Sequence, residues 1–165
     1  MVKYKPTWHI RHIRDGKVIW EDEILENILH DEGEEYILQC AFSEEVVPPV
    51  DFYFGLYDVD PTMAEGDALA THSGDELSGS AYARQPIPST AVGWTVTQDA
   101  GDYEAQSTDE TFTASGGAWA AARFLFLATT VDNTGKLIAS AQLSADRTLQ
   151  DGDSLQVSMD IKLSE

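Results

Sequence analysis

With 165 residues, ten basic against 29 acidic side chains and a formal charge of −19, the chain is long enough for one domain with a real core. It is too acidic to track a phosphate backbone or to settle on an anionic bilayer, so nucleic acid and membrane are excluded as expected partners. Hydrophobic residues make up 42%, more than a disordered acidic chain carries, and the single Cys40 excludes an internal disulfide and reads as a small buried hydrophobe.

Residues 1–17 carry Lys3, Lys5, Arg11, Arg14 and Lys17 against Asp15 alone, a net of +4, and read as a basic N-terminal arm that includes the first strand. The next stretch, 18–83, holds 17 acids and no Lys or Arg, so the arm has an acidic body or an acidic neighbour to dock on. The start, MVKYKPTWHIRHIR, lacks the apolar run of a secretory leader, and no segment approaches the roughly 18 apolar residues of a membrane span. A soluble protein made in the cytoplasm is the expectation. WHIRHIR and VIWEDEI flank Arg14-Asp15-Gly16-Lys17, and Asp-Gly between two strand-like runs predicts a tight hairpin.

The period then changes. In HDEGEEYILQCAFSEE, Asp31 and Glu34 have capping-box spacing, and Ile37, Leu38, Ala41 and Phe42 share one helical face, which predicts one short α-helix over about 31–43. Pro48-Pro49 prevents its continuation. FYFGLYD (52–58) predicts a strand, and 60–81, without sustained period and rich in Gly, Ser and acids, predicts a long surface loop. AYARQPI and GWTVTQ predict shorter strands, the first pushed to a sheet edge by Pro86 and Pro88. YEAQSTDETFTA reads as one long or broken strand.

From Ala118 to Ala128 the only charge is Arg123. Read as a strand, one face shows Trp119, Ala121, Arg123, Leu125 and Leu127, the other Ala120, Ala122, Phe124, Phe126 and Ala128. Both faces are apolar and both need cover. One would line a sandwich core; the other would meet the helix, a loop or another subunit, which makes Trp119, Phe124, Leu125 and Phe126 candidate subunit-interface residues. Asp132-Asn133-Thr134-Gly135 predicts a hairpin into LIASAQL, Asp151-Gly152-Asp153 a further turn, and SLQVSMDIKLSE alternates strictly, as a strand with one buried face does. The whole describes a mainly β fold, an antiparallel β-sandwich of one domain over 8–165 with one short helix.

Catalytic and metal motifs are missing from this pattern. His9, His12, His30 and His72 form no HxH, HExxH or HxxEH spacing, and no GxSxG elbow or glycine-rich phosphate loop occurs. Asp58/Asp60 and Asp151/Asp153 are each DxD, a fragment of a calcium loop that reads first as a turn. Trp8, Trp20, Trp94 and Trp119 lie in strand patterns, where core or interface duty is the default and a sugar-stacking platform the alternative. No enzyme, cofactor or metal is expected.

Taken in order, WHIRHIRDGKVIWEDEI, EGEEYIL, FYFGLYD, GSAYARQPIP, GWTV, TFTASGGAW, FLATTVDNTGKLIASAQLS and RTLQDGDSLQV resemble tailed-bacteriophage virion structural proteins over about residues 8–163. The resemblance implies a jelly-roll-like β-sandwich acting as a capsid decoration (cement) or minor structural protein on the outer head surface. It further implies a dimer or trimer bound to the major capsid protein lattice, with no catalytic residue to carry over. Lys3, Tyr4, Lys5, Trp8, Arg11 and Arg14 are then the expected capsid contacts. The alternative is a glycan- or receptor-binding module of a tail or head fibre.

Overall fold

The computed structural model of the chain describes residues 3–43, 45–58, 63–99 and 101–164, with the side chains of 3–5, 99, 163 and 164 outside the description. Asp60, half of one DxD pair, falls outside it as well.

Among the described residues, eleven strands and one α-helix follow one another: β1 (Lys3–Arg14), β2 (Lys17–Ile24), β3 (Ile28–Leu29), α1 (Asp31–Leu38), β4 (Asp51–Tyr57), β5 (Gln85–Pro88), β6 (Trp94–Asp99), β7 (Asp102–Ser107), β8 (Glu110–Thr113), β9 (Ala121–Ala128), β10 (Leu137–Thr148) and β11 (Ser154–Ser164). They build two antiparallel sheets. The first runs β2-β1-β11-β7-β6, with β8 also on β11; the second runs β3-β10-β9-β4-β5. This is the mainly β, two-sheet arrangement expected from the alternating patterns, with its single short helix. The run over 103–114 is broken: β7 pairs with Asp160–Leu163 and β8 with Ser154–Val157 of the same long strand.

The local rules are visible in the turns. Asp15 (φ 50°) and Gly16 (φ 72°) are both left-handed, as a two-residue hairpin that matches strand twist requires. In β5, Pro86 and Pro88 remove ladder donors, and the strand lies at a sheet edge beside β4. The alternation of β1 and β11 places Trp8, Ile10, Leu155, Val157 and Met159 against Phe54, Leu56, Leu125 and Leu127 of the second sheet. Trp8 and Phe54 meet across this core with ring centroids 5.3 Å apart. All nine are essentially inaccessible to solvent, and burying each large side chain contributes about 1.5–3 kcal/mol.

The helix differs from expectation at its start. Its N-cap is His30, whose carbonyl accepts the Gly33 and Glu34 N–H groups, and no side chain caps it. Asp31 already lies inside the first turn, so the Asp31–Glu34 capping pair is not formed. Glu32 instead turns outward from the helix, accepting Leu69 N–H at 2.9 Å and Leu137 N–H at 2.7 Å. Gly33 allows the helix to lie directly on β10: a Cβ there would sit 2.4 Å from the Ile138 carbonyl oxygen. Beyond Leu38 the helix widens into a π-type turn over Gln39–Ser43, which completes the predicted span.

Candidate assembly surfaces and the clasps behind them

The chain itself covers both faces of β9. Leu125 and Leu127 enter the core between the sheets, while Phe124, Phe126 and Ala128 pack on the outer side with Tyr57, Leu69 and Leu137, joined by Met63. Tyr57 stacks on Phe126 at 4.4 Å, a geometry that needs Gly55 on the neighbouring strand, where a Cβ would lie 2.0 Å from the Phe126 ring. Trp119 precedes the strand, sits over Gly79 and donates its indole N–H to the Ser80 carbonyl at 2.8 Å. Trp119, Phe124, Leu125 and Phe126, the candidate interface residues, are therefore all buried within this single chain.

The cover over the outer face is the segment 63–84, held down by polar clasps that no local motif announced. Arg84, itself buried, makes a bidentate pair with Glu76 (2.9 and 2.6 Å) and donates to the carbonyls of Thr130 and Asp132 and to Asn133 Oδ1. Its guanidinium also lies 5.0 Å from the centre of the Phe126 ring. One side chain thus ties the cover to the β9–β10 hairpin and to the ring beneath it.

A second clasp is His72. Its Nδ1 lies 2.8 Å from Asp75 and its Nε2 3.1 Å from Asp67, so both ring nitrogens have a carboxylate acceptor when the ring is protonated. Burial opposes the charged ring, but the bonds to Asp75 and Asp67 outweigh it and raise the His72 pKa. His30 behaves oppositely: buried and set 2.8 Å from Ser140 Oγ, it is held below the usual histidine range by desolvation. The tethers of this segment extend to helix α1, where Asp31 N–H donates to the Glu65 carbonyl at 2.8 Å. Residues 63–81, expected as a surface loop, thus include a 3-10 turn (Leu69–His72) and bury Leu69, His72 and Leu77.

The basic N-terminal residues belong to a strand. Lys3, Tyr4 and Lys5 pair by backbone with Ser164, Leu163 and Lys162, and their side chains lie outside the described residues. Trp8 is fully buried in the core. Arg11 is exposed on the outer face, with Gln156 at 3.4 Å. Arg14 grips Asp153 through two bonds of 2.8 and 2.7 Å, and His12 reaches the same carboxylate at 3.0 Å. The Arg14 bonds hold the Asp153 carboxyl far below the usual range, against the cost of its burial. Of the six expected contacts, Arg11 has its side chain open and Arg14 is partly open.

The Asp151–Asp153 pair closes a turn. Asp153 also accepts Gln150 N–H, and Asp151 accepts the N–H groups of Gly116 and Gly117, so backbone and side-chain donors occupy these carboxylates. Among the described residues no group of three or more His, Cys, Asp or Glu is placed to hold a metal ion, and no described helix is long and apolar enough to cross a membrane. Trp8 and Trp119 are buried, Trp20 lies beneath the Arg147 guanidinium at 4.5 Å, and Trp94 packs edge-on against Phe52. The tryptophans therefore make no exposed row.

Following α1, Phe42, Val47 and Val50 are each more than four-fifths exposed, an apolar outcrop on an otherwise acidic chain. On the flank of the sandwich, a groove of about 1080 Å³ runs between residues 22–28 and the 140–144 stretch of β10.

A family model described as "Podophage GP4 fiber I protein gp80" matches residues 29–161. No curated protein matches the chain.

Proposed function

The chain belongs to this podophage fibre protein family, and from that premise we propose that it is a non-enzymatic building block of a phage fibre, joined to neighbouring subunits through its sheet edges and exposed outcrops. The family is one of phage virion structural proteins. The match over residues 29–161 carries the reading. The use of the polar clasps supports it: Arg84, His72, Asp153 and Glu32 all bind other parts of the same chain, which is scaffold work. The absence of a tryptophan row favours a packing unit over a glycan platform.

A capsid decoration protein on the outer head surface is the second reading, favoured by the basic residues of β1 and the open Arg11. In it, a dimer or trimer braces the major capsid protein lattice. Particles made without this chain separate the two. A fibre component leaves intact, heat-stable heads that lack an appendage in negative stain and adsorb poorly. A decoration protein leaves complete appendages on heads that burst at lower temperature. Particles unchanged in both respects would refute both readings.

A further inference from the structure

The groove on the flank of the sandwich lies beside an incomplete sheet edge. The short β3 covers β10 only at Ala139 and Ser140, and from Ala141 onward the outer edge of β10 has no strand partner among the described residues. The reason is local. After β2 the chain crosses from one sheet to the other, and the Asn27 amide donates to the Pro6 carbonyl, pinning the crossing to β1. The groove lies between residues 23–27 of this tethered crossing and β10, with Asp22 reaching across to the strand.

Its walls have opposite characters. On one side Gln142 and Ser144 are exposed while Ala141 and Leu143 point into the core, the alternation of a strand edge with its face already buried. On the other side stand Asp22 and Glu26, while Glu23 shares the outer face of β2 with its partner His9, and no Lys or Arg lines the groove. Asp22 already shows what this edge accepts: its carboxylate lies 3.3 Å from the Ser144 N–H, standing in for a strand's carbonyl. Unpaired edges of this kind are templates for an added strand.

We propose that the groove between Asp22–Asn27 and the outer edge of β10 binds an extended, lysine- or arginine-bearing segment of a partner protein, which adds to the second sheet as a strand beside Ala141–Ser144. Charge selects the occupant. A second copy is disfavoured by the net charge of −19, and its own basic residues 3–14 are engaged in β1 pairing with β11. The stretch of four residues spans about 13 Å, enough for a short strand whose alternate side chains lie beside Asp22 and Glu26. This inference goes beyond the fibre reading and does not rest on it.

The probe is a fluorescein-labelled decapeptide of alternating lysine and valine, offered to the full chain at about 0.15 M salt to suppress long-range attraction. It is expected to bind, to slow amide exchange at Gln142, and to weaken at least about ten-fold when every peptide nitrogen is methylated. The methylated peptide keeps the charge and loses the backbone donors. Glu26→Lys, at an exposed position lining the groove, is expected to weaken binding, while Glu23→Lys on the outer face of β2 should change it far less. Equal affinity for the methylated peptide, or binding without protection at β10, would mean charge attraction alone and would overturn the proposal.

Discussion

Arg84→Met removes the guanidinium that ties the 63–84 cover to the β9–β10 hairpin while keeping most of the side-chain volume. Arg84 is 3% exposed and Glu76 17%, so the change leaves Glu76 a poorly hydrated carboxylate without its partner. It also strips donors from the Thr130 and Asp132 carbonyls and from Asn133. Breaking one side of a buried ion pair costs about 3–5 kcal/mol. The partial exposure of Glu76 places this site near the lower end, against a total stability of about 5–15 kcal/mol. The corresponding fall in melting temperature is roughly 6–12 °C for a chain of this size. Urea unfolding followed by tryptophan fluorescence reads the change directly. Arg84→Lys is expected to recover less than half, because one ammonium cannot reach the carboxylate and both carbonyls together. Arg84→Met with Glu76→Met should be milder than the sum of the single changes, since no orphan charge remains. A loss below about 1 kcal/mol for Arg84→Met would refute the clasp, because that is the size of an exposed pair.

The other expectations concern the packing and the titrating clasps. Gly55→Ala pushes a methyl into the Phe126 ring and should cost about 1–3 kcal/mol by overpacking, with the Tyr57–Phe126 stack lost from the near-ultraviolet dichroism. The Asp153 carboxyl is depressed in the folded state, so its contribution is present above the ordinary carboxylate range and declines as pH falls through it. Denaturation of wild type against Asp153→Asn should therefore show a gap that is constant near neutrality and narrows below about pH 4. His72 carries the opposite sign: its raised pKa stabilises the fold below the ordinary histidine value and less as pH rises past it. The penalty of His72→Gln should be larger near pH 6 than near pH 8. Arg11→Glu, on an exposed strand position, should change stability by less than about 0.5 kcal/mol, so any loss of particle incorporation would report a contact.

The strands were legible wherever one face is wet. The alternation of Leu155 to Ile161 and the Asp15-Gly16 turn are local signals, and the structure places them as read. Pro86 and Pro88 marked an edge because a missing N–H is a property of the residue itself. The cover over Phe124 and Phe126 was not legible, because Met63 and Leu69 stand as isolated large apolar residues in their segment and follow no period. Sequence could say that a strand apolar on both sides needs cover, but it could not say from where. The clasps were hidden for a related reason: Arg84 meets Thr130, Asp132 and Asn133 only after the chain has closed 46–49 residues of separation. Glu32, in the first turn of the helix, likewise serves two amides from other segments. The incomplete edge of β10 follows from the shortness of β3, a two-residue strand below the length at which pattern reading works.

Amide exchange along Phe124–Ala128 in the intact 165-residue chain, measured over roughly a hundred-fold dilution, tests most directly whether β9 is covered within one chain. Protection equal to that of the Trp8–Ile10 core strand and independent of concentration is the expected result. Protection that falls on dilution while β1 stays protected would show that a neighbouring copy supplies the cover.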